Sequence, residues 1–159
     1  MYKKVLAPLD GSQLAECTIG EVANVAGPGA EVMLLQVLEP VAGRIRADVP
    51  AGLLSDVGVS DELLHGVDEK TAEAAKEYLK RAAASMKKKG FEVRSETKVG
   101  KPAETILGFA KDNKADVIVI STHGRSGASR WAFGSVADKV MRTATIPVLM
   151  VTPRGCHLE

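Results

Sequence analysis

The sequence predicts an α/β protein, with a doubly wound, mostly parallel sheet of five strands and helices on both faces. Two observations support this fold class. Short apolar runs rich in β-branched residues alternate along the chain with segments whose apolar residues recur at helical spacing. Most of these runs are nearly continuous in apolar residues, which is typical of strands buried on both faces. Because a parallel connection needs a crossover, usually a helix, the alternation favours a parallel sheet.

The first half of the chain contains two predicted strands, residues 3–9 and 31–38, around a predicted helix, 13–26. The first strand stops near Pro8, because proline has no N–H to donate to a sheet ladder. Ser12 follows an Asp-Gly turn and is a good N-cap for the helix. A Gly-Pro-Gly segment ends that helix before the second strand begins.

The middle of the chain is predicted as a long loop, a helix and a third strand. Residues 39–66 lose all periodicity, which predicts an irregular loop inserted in the domain. Asp68 can cap a helix over 68–89, and Gly90 ends it. Alternation over 91–99 predicts a third, more exposed strand. The helix carries an apolar stripe that predicts core packing, made of Ala75, Tyr78, Leu79, Ala82, Ala83 and Met86.

The last part of the chain repeats the alternation twice. Pro102 suits the first position of a helix whose buried face is Ala103, Ile106, Leu107 and Ala110. The run Val117–Ile120 is predicted as a buried strand. A glycine-rich loop follows, then a helix over 134–144 and a last strand over 147–151.

Length and charge exclude several classes of protein. A chain of 159 residues is most simply one domain, here 1–153, followed by a tail, 154–159, whose final Leu-Glu is typical of a cloning remnant. The net charge of +1 gives no bulk attraction to nucleic acid or to an anionic membrane. No apolar run approaches the ~20 residues of a membrane span. With no signal-peptide pattern, we expect a cytoplasmic protein.

The loop from Ser121 to Ser135 is the strongest candidate for a functional site. It joins a buried strand to a helix and contains three glycines, Gly124, Gly127 and Gly134. Glycine lets backbone N–H groups approach a ligand closely, and a helix N-terminus offers donors and a favourable dipole to an anion. The pattern favours a phosphate cradle, although glycines at a strand–helix joint are equally consistent with turn chemistry alone.

The predicted fold also places a carboxylate opposite this loop. In doubly wound sheets, ligands bind outside the carboxyl ends of the strands, where the strand order reverses. If the first and fourth strands are neighbours there, Asp10 and the glycine loop face one crevice. Asp10 is equally consistent with a ligand-binding role and with turn formation.

Three segments resemble the nucleotide-binding branch of the universal stress protein family, and they span nearly the whole chain. They are the opening Lys-Val-Leu-Ala-Pro-Leu-Asp-Gly-Ser, the joint Val-Gly-Lys-Pro-Ala-Glu-Thr-Ile that starts at Val99, and the glycine loop. In that family's ATP-binding members the loop follows the pattern Gly-x2-Gly-x9-Gly-Ser/Thr. Gly124, Gly134 and Ser135 match its second half, whereas Ser121 replaces its first glycine. Serine is small and can itself donate to a phosphate or ribose, so we expect binding to be retained.

The resemblance implies a nucleotide site assembled from distant parts of the chain. Asp10 would accept hydrogen bonds from ribose hydroxyls, Val37 would meet the base through its backbone, and the glycine loop would hold the phosphates. His123 is expected to have a structural role or to contact phosphate rather than act as a base, because no orienting carboxylate is evident. The implied set contains no catalytic residue and no metal ligand, and consists of Pro8, Leu9, Asp10, Val37, Val99, Gly100, Ser121, Thr122, His123, Gly124, Arg125, Gly127, Gly134, Ser135 and Val136.

The resemblance implies a stress-response protein that binds ATP, ADP or AMP, optionally with Mg²⁺, as a sensor or regulated interaction module. It also implies a homodimer formed by antiparallel pairing of the last strand, 147–151. Two alternatives stay open. The first is a slow ATP-hydrolysing or nucleotidyl-transferring enzyme, for which the sequence lacks a clear base and an acidic pair for a metal. The second is a nucleotide-independent dimeric interaction protein, which Ser121 favours.

Overall fold

The computed structural model describes residues 1–40, 69–122 and 134–152, the side chains of 13–16 excepted. Most of the loop predicted over 39–66 and the tail 154–159 lie outside these residues. Within them the chain alternates strictly between strand and helix. The strands are β1 (Tyr2–Pro8), β2 (Ala26–Leu38), β3 (Glu92–Val99), β4 (Val117–Ser121) and β5 (Val148–Val151). The helices are α1 (Gln13–Val25), α2 (Glu69–Lys88), α3 (Pro102–Asp112) and α4 (Ser135–Thr143).

The five strands form one sheet in the order β3-β2-β1-β4-β5, and every neighbouring pair is parallel. The predicted fold class is therefore confirmed, with all described strands parallel rather than most of them. The strand order reverses between β1 and β4, because the chain winds outwards from β1 to β3 and then returns to the other side of β1. The carboxyl ends of all five strands consequently lie at one edge of the sheet.

Each face of the sheet is covered by a pair of helices. Alternate residues of the central strands point to opposite faces, as the pleat requires. Val5, Val32 and Val117 pack with α1 and α2, whereas Leu6, Met33 and Ile118 pack with α3 and α4. The stripe predicted on α2 is buried as expected at Ala75, Leu79, Ala82, Ala83 and Met86. This two-sided burial explains the nearly continuous apolar runs of β2 and β4.

The start of β2 differs from the prediction. The strand begins at Ala26, five residues before the predicted Glu31, because Ala26 already pairs with Tyr2. The register then shifts between Tyr2 and Lys4, and the continuous pairing resumes at Glu31. The Gly-Pro-Gly segment therefore lies in an irregularity within the strand, where Gly29 has a φ of 69°.

Two further features complete the fold. Cys17 lies on the half-buried side of α1 and is disulfide-bonded. Among the helices of the described residues, none combines the length and the apolar character that a bilayer span requires.

Candidate functional site

A crevice opens between β1 and β4 because these strands pair over only part of their length. Their register contains Val5 with Val117 and Leu6 with Ile118. Beyond that point β1 stays paired with β2 as far as Pro8, and β4 stays paired with β5 as far as Ser121. The sheet therefore divides at its carboxyl edge, at the position where the strand order reverses. This is the place where doubly wound sheets bind ligands.

The crevice is the floor of a cleft of about 830 Å³, a volume within the ~300–1,000 Å³ typical of small-molecule sites. Its walls come from the ends of β1, β2 and β4, from one face of α2 and from the first turns of α3 and α4. Of the residues predicted for the site, the cleft is lined by Pro8, Leu9, Asp10, Val37, Ser121, Thr122, Gly134, Ser135 and Val136.

The turn after β1 fixes the Asp10 carboxylate at one wall of the cleft. The Leu9 N–H donates to the Leu35 carbonyl at 2.8 Å, which holds the turn against β2. Asp10 Oδ1 accepts from the Ser12 N–H at 2.9 Å, and Gly11 between them has a φ of 79°. Only glycine adopts that φ at little cost. Asp10 therefore has the turn-forming role, and the same hydrogen bond orients its half-buried carboxylate at the cleft.

The start of α4 forms the opposite wall. The Gly134 N–H donates to the Thr122 carbonyl at 2.7 Å, and the Asp138 N–H makes the first helical bond, to Gly134, at 2.9 Å. The N-cap residue, Gly134, has no side chain to cap this helix, and the N–H groups of Ser135, Val136 and Ala137 have no acceptor within the helix. They carry the positive end of the helix dipole.

The N–H group of Gly134 already has an acceptor within the protein. Because Thr122 occupies the Gly134 N–H, that amide is not one of the donors available to a phosphate. The backbone of Gly134 has a φ of −57° and a ψ of 146°, which any residue adopts. Its glycine is therefore not required by backbone conformation, and what it can provide is the absence of a side chain at the mouth of the cleft.

Val99 and Gly100 do not line the cleft, although the resemblance implies them. Val99 pairs with Leu38 at the outer side of β2 and is 56% exposed. Gly100 donates its N–H to the Leu38 carbonyl at 3.0 Å. A Cβ at Gly100 would lie 2.7 Å from Thr105 Oγ1, so the joint between β3 and α3 has no room for a side chain.

Four of the predicted residues, His123, Gly124, Arg125 and Gly127, lie outside the described residues. The two ends of the segment that contains them are nevertheless fixed at one point. Thr122 donates its N–H to Val151 at 2.9 Å and accepts from Gly134, so the chain leaves and returns at the same position beside β5.

Sequence reasoning missed the wall formed by α2 and the part of β2 that faces it. On α2 the lining residues are Lys70, Thr71, Ala74, Ala75, Tyr78 and Arg81, which share one helix face. Part of this face belongs to the predicted core stripe, because α2 packs on the sheet with one side and borders the cleft with its edge. Another missed residue is Gln36, which interrupts the apolar run of β2. This polar residue in an apolar run is the sequence signal that could have identified Gln36 as part of the site.

Comparison with known proteins agrees with this architecture. A sequence model of the universal stress protein family matches residues 1–152. The universal stress protein MJ0577 of Methanocaldococcus jannaschii is 32% identical over 155 residues, which are 95% of each chain. The solved structure of MJ0577 aligns with a TM-score of 0.76 at 29% identity, over 96% of each chain.

Two further relatives are similar over most of their length. The universal stress protein YxiE of Bacillus subtilis is 32% identical over 155 residues, covering 95% of this chain and 99% of YxiE. The universal stress protein of Archaeoglobus fulgidus, solved in complex with dAMP, aligns with a TM-score of 0.60 at 26% identity. That alignment covers 94% of this chain and 97% of the A. fulgidus chain.

Proposed function

The chain belongs to the universal stress protein family, and on that premise we propose that it binds an adenine nucleotide in the cleft between β1 and β4. The observation that carries the proposal is the pairing of two opposite chemistries across one crevice. Asp10 offers a carboxylate on one wall, and the uncapped first turn of α4 offers N–H donors on the other. The A. fulgidus relative that was solved with dAMP supports the same class of ligand.

The residues fit the parts of a nucleotide in the order of the strands. The first-turn amides of α4 suit phosphate oxygens, because they combine unpaired donors with the helix dipole. Asp10, on the neighbouring strand β1, suits the ribose hydroxyls as an acceptor. Val37, at the end of β2, is the proposed contact for the base. Ser121 takes the place of the family's first loop glycine and adds a hydroxyl beside the phosphates, and the proposed phosphate loop also includes His123, Gly124, Arg125 and Gly127.

A companion Mg²⁺ fits this scheme only as an ion shared with the nucleotide. Across residues 1–40, 69–122 and 134–152, no three His, Cys, Asp or Glu side chains lie close enough to form a metal site. Mg²⁺ is commonly held by one carboxylate together with substrate phosphates and water, and Asp10 and Glu39 are carboxylate residues that line this cleft.

Calorimetric titration with ATP, ADP and AMP, with GTP as a control, tests the proposal. We expect saturable heat with the adenine nucleotides, and no heat at millimolar ATP would refute the site. Asp10→Asn keeps an acceptor for the Ser12 N–H, since Asn also forms this turn, but it removes the charge. Asp10→Asn should therefore lower the affinity for ATP about tenfold and leave the thermal stability unchanged. Asp10→Ala should lower both the affinity for ATP and the thermal stability. Equal ATP affinity in all three proteins would remove Asp10 from the site.

We also propose that the protein acts as a nucleotide-regulated interaction module in the stress response and that it forms a homodimer through β5. The two edges of the sheet support this choice of interface. The exposed face of β3 carries Glu92, Arg94, Glu96 and Lys98, a pattern of charges that discourages strand pairing. The edge strand β5 has the sequence Val-Leu-Met-Val, with three of its residues only half-buried.

A further inference from the structure

We propose that Gln36 recognises the base of the bound nucleotide, by accepting a hydrogen bond on its side-chain carbonyl oxygen from an exocyclic amino group. This would make the cleft select a 6-aminopurine over purines that lack the amino donor. The inference rests on the proposed nucleotide binding and assigns base selection to a side chain, whereas the resemblance implies a backbone contact at Val37.

Gln36 is a polar residue in a place that offers it no partner. It is 4% exposed, among the strongly apolar residues of β2. Its Oε1 atom is shielded from solvent and accepts no hydrogen bond from any residue that the structure describes. A buried carbonyl without a donor destabilises the folded state, because it has lost its hydrogen bonds to water without replacement. Such a group calls for an explanation, and a ligand that brings the donor is one.

The position of Gln36 matches the base end of the proposed ligand. The strands β4, β1 and β2 are consecutive neighbours in the sheet, about 4.8 Å apart. The phosphate donors follow β4, Asp10 follows β1, and Gln36 lies near the end of β2. A nucleotide laid across these three strands with its phosphates on α4 and its ribose at Asp10 brings its base to the end of β2.

The walls around Gln36 suit a flat aromatic group. Val32 and Leu34 pack with α1 and α2, so the pleat points Gln36 to the same side, towards the cleft-lining face of α2. That face presents two small side chains, Ala74 and Ala75, beside the half-buried ring of Tyr78. Small residues leave room for a ring system, and an aromatic side chain offers it an apolar contact surface. The last torsion of glutamine is broad, so a modest rotation on ligand entry turns Oε1 towards the base.

The energetic effect should be large for a single neutral hydrogen bond. A bond normally contributes little in net terms, because the protein group gives up water to make it. Gln36 Oε1 is already removed from solvent, so that cost has been met in the free protein. The bond to an amino group should therefore change affinity by about tenfold or more.

The test compares ATP with two analogues that lack the 6-amino group, in the wild type and in Gln36→Met. Purine riboside triphosphate has hydrogen at position 6, and ITP has a carbonyl oxygen there and a proton on N1. The wild type should bind ATP about tenfold more tightly than purine riboside triphosphate, and ITP should bind no better than the latter. Gln36→Met should bind ATP no more tightly than it binds purine riboside triphosphate. Its affinity for purine riboside triphosphate should equal that of the wild type.

The control variant is Thr18→Val. Thr18 in α1 is fully buried, and its hydroxyl, like Gln36 Oε1, has no hydrogen-bond partner within the described part of the chain. Unlike Gln36, Thr18 does not line the cleft. Thr18→Val should keep the wild-type preference for ATP. Both variants replace an unsatisfied buried group by an apolar one of similar size, so neither should lower the melting temperature.

The outcomes separate this inference from the function on which it rests. If the wild type binds ATP but binds purine riboside triphosphate or ITP equally well, Gln36 does not select the base, and nucleotide binding stands. The same conclusion follows if Gln36→Met keeps the wild-type preference. If the wild type binds none of the three nucleotides, the proposed function itself is wrong. A backbone acceptor at Val37 would give the wild type the same preference, so the variant decides the matter, and Gln36→Leu provides the same comparison if Gln36→Met does not fold.

Discussion

Glycine serves different purposes at different positions of this chain. At Gly11 the backbone has a φ of 79°, which the turn that presents Asp10 requires. At Gly100 the neighbouring Thr105 side chain leaves no room for a Cβ. At Gly134 the backbone conformation does not require glycine, because its φ is −57° and its ψ is 146°. Gly134 lines the cleft, so a side chain at this residue would border the space proposed for the nucleotide.

Two glycine-to-alanine substitutions in adjoining structure should change stability in opposite directions. Gly100→Ala forces a Cβ to within 2.7 Å of Thr105 Oγ1 at a φ of 157° and should cost about 1–3 kcal/mol in the free energy of unfolding. Gly108→Ala, in the exposed part of α3, meets nothing within 4 Å and should stabilise by about 0.5–1 kcal/mol. Urea unfolding measures both. Equal effects would mean that the joint before α3 adjusts freely.

At the scale of elements, α3 and α4 are tied together on one face of the sheet by a pair of charges. Lys139 Nζ donates to Glu104 Oε1 at 2.6 Å. This hydrogen bond is the main reason why the pKa of Glu104 lies below the ordinary value for a glutamate. Both side chains are about half exposed, so the pair is screened by salt and should contribute modestly.

The contribution of this pair should depend on pH in a defined direction. The folded pKa of Glu104 is lowered, so its stabilising effect is complete above the unfolded value of about 4.3 and disappears as the pH falls through the folded pKa. Glu104→Gln should therefore be less stable than the wild type at pH 7 and equally stable near pH 2. Urea unfolding at both pH values, with and without high salt, checks this. A difference that persists at low pH would show that the charge is not its source.

The element pattern explains which parts of the fold were predictable. The strands and helices near β1, α3 and β4 follow from local signals such as Pro8, Pro102 and the β-branched run at Val117, and each signal acts within a few residues. The start of β2 was missed because Ala26 pairs with Tyr2 across the sheet, a contact that no local signal encodes. The Gly-Pro-Gly segment that suggested a boundary is an irregularity inside the strand.

The residues of the candidate site also differ in whether local sequence signals could predict them. Asp10, Ser121 and Ser135 are recognisable because each stands directly at the end or the start of an element, where the fold class places ligands. The wall formed by α2 depends on how that helix lies across the sheet, and Tyr78 has the same helical spacing as the true core residues. Gln36 was visible as a polar residue in an apolar run, but its lack of a partner appears only in three dimensions.

At the scale of the whole molecule, the proposed dimer predicts a solution mass of roughly twice 16.8 kDa. Substituting an edge-strand residue should separate the proposed interface from the opposite edge. Met150→Lys places a charge on β5 and should yield monomers, because an edge that carries lysine resists pairing. Val93→Lys makes the same change at a half-buried position of β3 and should keep the dimer. Light scattering after size exclusion measures both, and a monomeric wild type would refute the interface.

The incomplete pairing of β1 with β4 would give the proposed nucleotide a structural role. The two strands pair only at Val5 and Leu6 of β1. At the amino end of β1, the Asp116 carboxylate accepts hydrogen bonds from the N–H groups of Lys3 and Lys4. The two strands are thus held together at the amino end of β1 and separate at their carboxyl ends. A nucleotide that contacts both Asp10 and α4 would hold the two sides of the open end together. The stability of the folded protein would then rise with the nucleotide concentration.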